Sequence, residues 1–118
     1  MKAGRTHRIP LSERVMLILQ DMQQFKVNDF IFPGTKKGLS NMAMLQLLKR
    51  MGEDGVTVHG FRSSFRDWVE EATSYPSEVV EMALAHTIKN QAEAAYRRGD
   101  LMEKRSQLMA DWQVFCTP

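Results

Sequence analysis

Apolar side chains recur along this 118-residue chain at intervals of three and four, and that pattern restricts it to a fold built mainly of helices. Val15, Ile18, Leu19 and Met22 follow the spacing of one helix face, which Phe25 closes. Met44, Leu47, Leu48 and Met51 repeat it, followed by Phe61, Phe65, Trp68, Val69 and Ala72, and then by Val79, Val80, Ala83 and Leu84. Leu101, Leu108, Met109, Trp112 and Phe115 mark the last helix. Each series predicts a stripe buried against a neighbour. Ser12 and Ser40 stand where a side-chain oxygen can cap the first two helices, and Gly52 stands where the second must end. Pro76 suits the first turn of a helix, where a missing N–H costs nothing, and Glu78 and Glu81 favour its positive end. Asp100 and Glu103 have the spacing of a capping box. The nine methionines fall at core-like positions and read as packing side chains.

Between the helices the pattern lapses in three places. Residues 2–11 place basic side chains around Ala3-Gly4 and then run His7-Arg8-Ile9-Pro10-Leu11, the turn and second strand of a hairpin whose first strand precedes residue 1. Phe30-Ile31-Phe32, Pro33-Gly34 and Lys36-Lys37-Gly38 predict a loop with one short extended piece. Residues 53–58 form a polar turn that delivers the chain to His59 at a helix start. The expected class is mainly α, or α+β with a small N-terminal β-hairpin remnant. Residues 1–118 read as one domain, without internal repeat or low-complexity segment.

Hydrophobic content of 43% and charged content of 25% exclude a disordered or collagen-like chain. A net charge of +2 with a pI near 8.9 means that any affinity for nucleic acid depends on where Lys and Arg are placed. The single Cys116 cannot form an internal bridge, and no Cys/His cluster has zinc-ligand spacing. A reducing cytoplasm fits. The sequence contains neither a run of 18 or more apolar residues nor the apolar region of a secretory signal, so a membrane location is not expected.

One stretch carries chemistry. His59 and Arg62 are three apart at the start of a helix and so share a face, from which both can reach one anion. His86 follows a helix C-terminus, and Tyr96 lies beyond a polar turn on a short Ala-rich helix. Two histidines, an arginine and a tyrosine make a phosphoryl-transfer set: a phenol as nucleophile, cations to lower its pKa, and a guanidinium shaped to hold charged phosphate oxygens.

This order resembles the tyrosine recombinase (phage integrase) family, whose signature is His-x-x-Arg, then His, then a nucleophilic Tyr about ten residues on. The text around Leu84-Ala85-His86 and Ala95-Tyr96-Arg97-Arg98-Gly99-Asp100 is similar to prophage integrases. The resemblance implies the tyrosine-recombinase catalytic-domain fold. It also implies site-specific recombination, for prophage integration and excision, through a covalent 3'-phosphotyrosine intermediate with neither metal nor cofactor. Tyr96 becomes the nucleophile, with Arg62, His59 and His86 around the phosphate. Lys2-Ala3-Gly4, ahead of Ile9-Pro10, resembles the family's hairpin, so Lys2 inherits the role of general acid for the leaving 5'-oxygen.

Implied partners are double-stranded DNA attachment sites and other integrase subunits in a synaptic tetramer, in the bacterial cytoplasm and at the nucleoid. The family also uses an Arg ahead of the hairpin Lys, and Arg5, Arg8 and Arg14 all follow Lys2. The chain therefore reads as the C-terminal part of an integrase catalytic domain, without the upstream portion and the core-binding domain, and is expected to be inactive alone.

Each residue retains a plain structural alternative. His59 can cap a helix, His86 can serve a helix end, Tyr96 can be an interface residue, and Lys2 can belong to a solvated tail. Tyr75, the other phenol, reads as a packing residue. Lys36 and Lys37 read as a solubilising pair, with DNA contact as the alternative. The competing functions are a noncatalytic helical module that binds DNA or protein, and a type IB topoisomerase-like strand transferase.

Overall fold

A computed structural model describes residues 6–86 and 100–118. The described elements are five helices, α1 (Glu13–Met22), α2 (Ala43–Arg50), α3 (Gly60–Ala72), α4 (Ser77–Ala83) and α5 (Met102–Cys116), with a 3-10 turn at Gln23–Phe25. The chain gathers into two compact units. One comprises Met1–Ser12 with Phe65–Pro118, and the other comprises Glu13–Ser64.

The first unit holds the principal core. Phe65 and Val69 of α3, Val79 and Val80 of α4, Leu84 and Leu108 form one buried cluster, with Trp68, Tyr75 and Trp112 half-buried against it. Phe65 meets Trp112 edge-on, with ring centroids 5.2 Å apart, and Trp112 stacks on Phe115 at 5.5 Å. Burying each such aliphatic side chain contributes about 1.5–3 kcal/mol, so α3, α4 and α5 are held by the apolar spacing that predicted them.

Arg105 lies on that stripe and is almost fully buried, at 1% exposure. Its Nη2 donates to the Arg8 carbonyl at 2.6 Å and its Nη1 to the Asp100 carbonyl at 3.1 Å, while Nε has no partner. The Arg8 guanidinium in turn grips the Asp100 carboxylate. This corrects the capping-box expectation. Helix α5 begins at Met102 behind Leu101, which takes left-handed φ 55° and gives no side-chain cap, because the Asp100 carboxylate is engaged by Arg8.

The strand expected at residues 7–11 is not formed: residues 6–12 contain no strand, and Ile9 and Leu11 are exposed, while the turn expected around Lys2-Ala3-Gly4 lies outside the described residues. A strand exists only as one side of a ladder, and no partner strand is present among the described residues. The described fold is therefore mainly α. Its one bridge, antiparallel between Pro33 and Gly38, lies in the loop where a short extended piece was expected. There Gly34 N–H donates to the Lys37 carbonyl at 2.6 Å, and a Cβ on Gly34 would come within 2.3 Å of the Gly38 carbonyl oxygen.

In the second unit Leu48 is the one buried residue, and the predicted stripes are largely open. Val15 and Ile18 of α1, and Met44, Leu47 and Met51 around α2, are exposed, so the packing role expected of these methionines does not hold at Met44 and Met51. Phe25 and Phe61, expected to be buried, are 64% and 54% exposed. Ser40 does not cap α2. Its carbonyl accepts the Ala43 N–H at 3.2 Å in a preceding turn, and the helix starts two residues late, behind Met42.

The C-terminus of α2 follows expectation. Gly52 adopts φ 78°, its N–H bonds the Lys49 carbonyl, and Glu53 N–H bonds the Leu48 carbonyl, the two bonds of a Schellman ending.

Candidate active site

The opening turn of α3 is set by Thr57, whose Oγ1 accepts the Gly60 N–H at 3.0 Å. Thr57 therefore takes the capping role considered for His59. His59 immediately precedes the helix and its carbonyl accepts the Arg62 N–H at 3.1 Å, so the two residues share one turn, as the spacing predicts. Both are exposed. They belong to the second unit.

His86 belongs to the first unit and follows α4 directly. Ala85 takes the left-handed φ of 58°, with its N–H on the Met82 carbonyl at 3.1 Å, and His86 N–H bonds the Glu81 carbonyl at 2.9 Å. This is again a Schellman ending, with alanine where glycine is usual. It returns His86 over Glu81, and His86 Nδ1 hydrogen-bonds the Glu81 carboxylate. The other Glu81 oxygen takes Arg66 Nη2 at 3.2 Å. The imidazole thus meets a side-chain carboxylate as well as the helix end. Glu81, read from sequence only as a helix-start acid, and Arg66 are the partners that sequence reasoning missed. The available signal was a carboxylate five residues before a histidine that follows a helix end.

Lys2 and Tyr96, together with the short helix expected around Tyr96, lie outside the described residues. Tyr75 is half-buried against the core, and its hydroxyl donates to Asp111 Oδ2 at 2.5 Å. Burial first, then the Asp111 hydrogen bond and charge, push its pKa up to about 12. Lys36 and Lys37 are exposed in their loop. Among the described residues no group of His, Cys, Asp or Glu could hold a metal ion, and no helix is long and apolar enough to cross a membrane.

Comparison with known proteins adds an independent observation. The chain is 38% identical over 117 residues to prophage integrase IntA of Escherichia coli K12, and 34% identical over 116 residues to prophage integrase IntZ of the same strain. It is 29% identical over 120 residues to the integrase of Enterobacteria phage P4. In each case the match covers 95% of this chain. The chain is a homologue of prophage integrases. It spans 28%, 29% and 27% of the three relatives' lengths, respectively. No protein-family model and no solved structure matches this integrase homologue.

Proposed function

We propose that this chain carries part of the active centre of a tyrosine-type, site-specific DNA recombinase. The observation that carries the reading is the order His59-x-x-Arg62, His86, Tyr96 in a sequence that aligns over 95% of its length with named prophage integrases. In this reading the Tyr96 phenol loses its proton and its oxygen attacks a DNA phosphorus. The bond to the 5'-oxygen breaks and leaves a 3'-phosphotyrosine, and the Lys2 ammonium protonates the departing oxygen. Rejoining reverses each transfer.

Arg62 offers two parallel N–H donors to the phosphate oxygens that gain charge, a match a lysine cannot make. His59, on the same turn, adds a donor beside Arg62, and His86 is the second histidine of the family's order, suited to pass a proton. The Tyr75 phenol is harder to ionise than an ordinary tyrosine and is held by Asp111, which leaves Tyr96 as the better nucleophile of the chain's two tyrosines. The partners are duplex attachment sites and further integrase subunits, met in the bacterial cytoplasm and at the nucleoid.

The test is a chimaera in which this chain replaces the matching stretch of IntA. Incubated with a nicked attachment-site duplex, it should form a covalent protein–DNA complex that Tyr96→Phe abolishes and Tyr75→Phe does not. Trapping that survives Tyr96→Phe rejects the assignment. Relaxation of supercoils without site preference would favour the type IB topoisomerase reading. Nicked-duplex binding without any covalent product, and indifferent to Arg62→Ala, would favour a noncatalytic module.

A further inference from the structure

A chain of polar contacts within the first unit links α3, α4 and the residue that follows the end of α4. Glu70 Oε1 takes Arg66 Nε at 3.5 Å, Arg66 Nη2 takes Glu81 Oε1 at 3.2 Å, and Glu81 Oε2 meets His86 Nδ1. Both oxygens of Glu81 are therefore engaged, one by a cation and one by the imidazole. The backbone brings this about at a cost. Ala85 is held at φ 58°, a conformation that an L-residue other than glycine rarely adopts, and the two bonds closing α4 depend on it. The chain accepts that strain at the one residue that folds His86 back over Glu81.

We infer that Glu81 is a positioning residue for His86: its carboxylate keeps the ring proton on Nδ1 and the ring in one orientation, leaving Nε2 as the working nitrogen, while Arg66 holds Glu81 in place. A neutral imidazole has one donor and one acceptor nitrogen, and which is which is set by the partner of the other. A carboxylate can only accept, so it selects the Nδ1–H form. Nε2 is then a lone-pair site in neutral His86 and a donor in the protonated ring, the two states a group needs to pass a proton to and from a phenol or a phosphate oxygen. Catalytic histidines oriented by a carboxylate on Nδ1 recur on unrelated folds because this geometry supplies both tautomer and aim. For chemistry at DNA, the inference rests on the reading of His86 given above.

The two parts can be tested apart. In the 118-residue chain, nitrogen-15 correlation spectra of the imidazole rings, taken well above the ordinary histidine pKa of about 6.5, report the tautomer directly. His86 should be the Nδ1–H form. Glu81→Ala should move it toward Nε2–H, and Glu81→Gln, which keeps an acceptor oxygen, should retain it in part. Amide signals of Val79 and Val80 serve as the check that α4 is still folded. An Nε2–H ring in the unsubstituted chain, or a tautomer indifferent to Glu81→Ala with α4 intact, overturns the inference.

In the IntA chimaera, Glu81→Ala should slow covalent complex formation about tenfold, with DNA affinity unchanged and partial rescue by Glu81→Gln. A chimaera that never forms the complex would defeat the strand-transfer reading, while the tautomer measurement would still decide the role of Glu81. A shifted tautomer with undiminished cleavage would remove Glu81 from the chemistry.

Discussion

Arg8 grips Asp100 across 92 residues of chain, with Nε 3.0 Å from Oδ2 and Nη2 3.1 Å from Oδ1. Beneath this exposed pair, Arg105 donates to the carbonyls of the same two residues. The pair is solvated and the arginine below it is not, and that difference decides what each is worth.

Replacing Arg105 by alanine removes a buried cation, strands two carbonyls and opens a void among Arg8, Asp100 and the α5 stripe. The expected loss is about 3 kcal/mol, read as a lower urea midpoint. Arg8→Ala, at an exposed position, should cost less than about 1 kcal/mol in the same experiment.

Asp100 gives this cluster its acid response. Burial raises its pKa, but the Arg8 hydrogen bond and charge outweigh that and hold it below the usual carboxylate range. A lowered folded pKa contributes stability above the unfolded value, and that stability is lost as pH falls through the folded one. Asp100→Asn should therefore flatten the acid limb of the stability profile, as followed by circular dichroism.

The endings of α2 and α4 form a natural pair of tests. Ala85 at φ 58° bears a left-handed cost that glycine does not, so Ala85→Gly should stabilise the fold by about 0.5–1 kcal/mol after the entropy of the freer unfolded chain is deducted. Gly52, at φ 78° with open space around it, should show the reverse: Gly52→Ala costs about 1 kcal/mol from backbone strain alone. Thermal denaturation of the two variants checks both signs.

Tyr75 should titrate near pH 12 by phenolate absorbance. Its folded pKa is raised, so its contribution to stability is complete below the unfolded value of about 10 and fades as pH rises toward 12. Tyr75→Phe should remove that alkaline dependence, and Asp111→Asn should bring the titration closer to the ordinary value.

Arg62→Ala in the IntA chimaera should lower the rate of covalent complex formation by about 10² to 10³, the usual cost of losing one donor to a charge that develops in the transition state. Quenched-flow trapping on a nicked duplex measures it. A change in DNA affinity alone would assign Arg62 to binding.

Legibility in the sequence followed the range of the interaction. Helices α3, α4 and α5 are announced by Phe65, Val69, Val79, Val80 and Leu108, because burial against neighbours repeats with the helix period. The ending at Gly52 is legible for a similarly local reason, since glycine takes positive φ without penalty. Ala85 makes the same turn unannounced, so the meeting of Glu81 with His86 that depends on it left only the five-residue spacing as a signal.

The capping role expected of Asp100 failed to a competitor 92 positions away, which no local rule can see. Arg105, however, was visible: it stands four residues after Leu101 and three before Leu108, a charge on an apolar stripe. The strand expected at residues 7–11 depended on a partner that local alternation cannot supply. For the candidate site, the turn shared by His59 and Arg62 was legible from spacing. The order of the whole set was legible only through family resemblance, with Tyr96 and Lys2 outside the described residues.

The bonds from Arg105 to Arg8 also bear on the order in which the molecule assembles. The second unit is contiguous, from Glu13 to Ser64, while the first is split around it. During synthesis, residues 13–64 can close their local contacts as soon as they emerge. The Arg8 carbonyl must wait for its partner until Arg105 has been made, and closing so long a loop carries an entropic cost that local contacts avoid. A ribosome stalled before that codon would hold a nascent chain in which the segment around Arg8 is still open to proteases and chaperones.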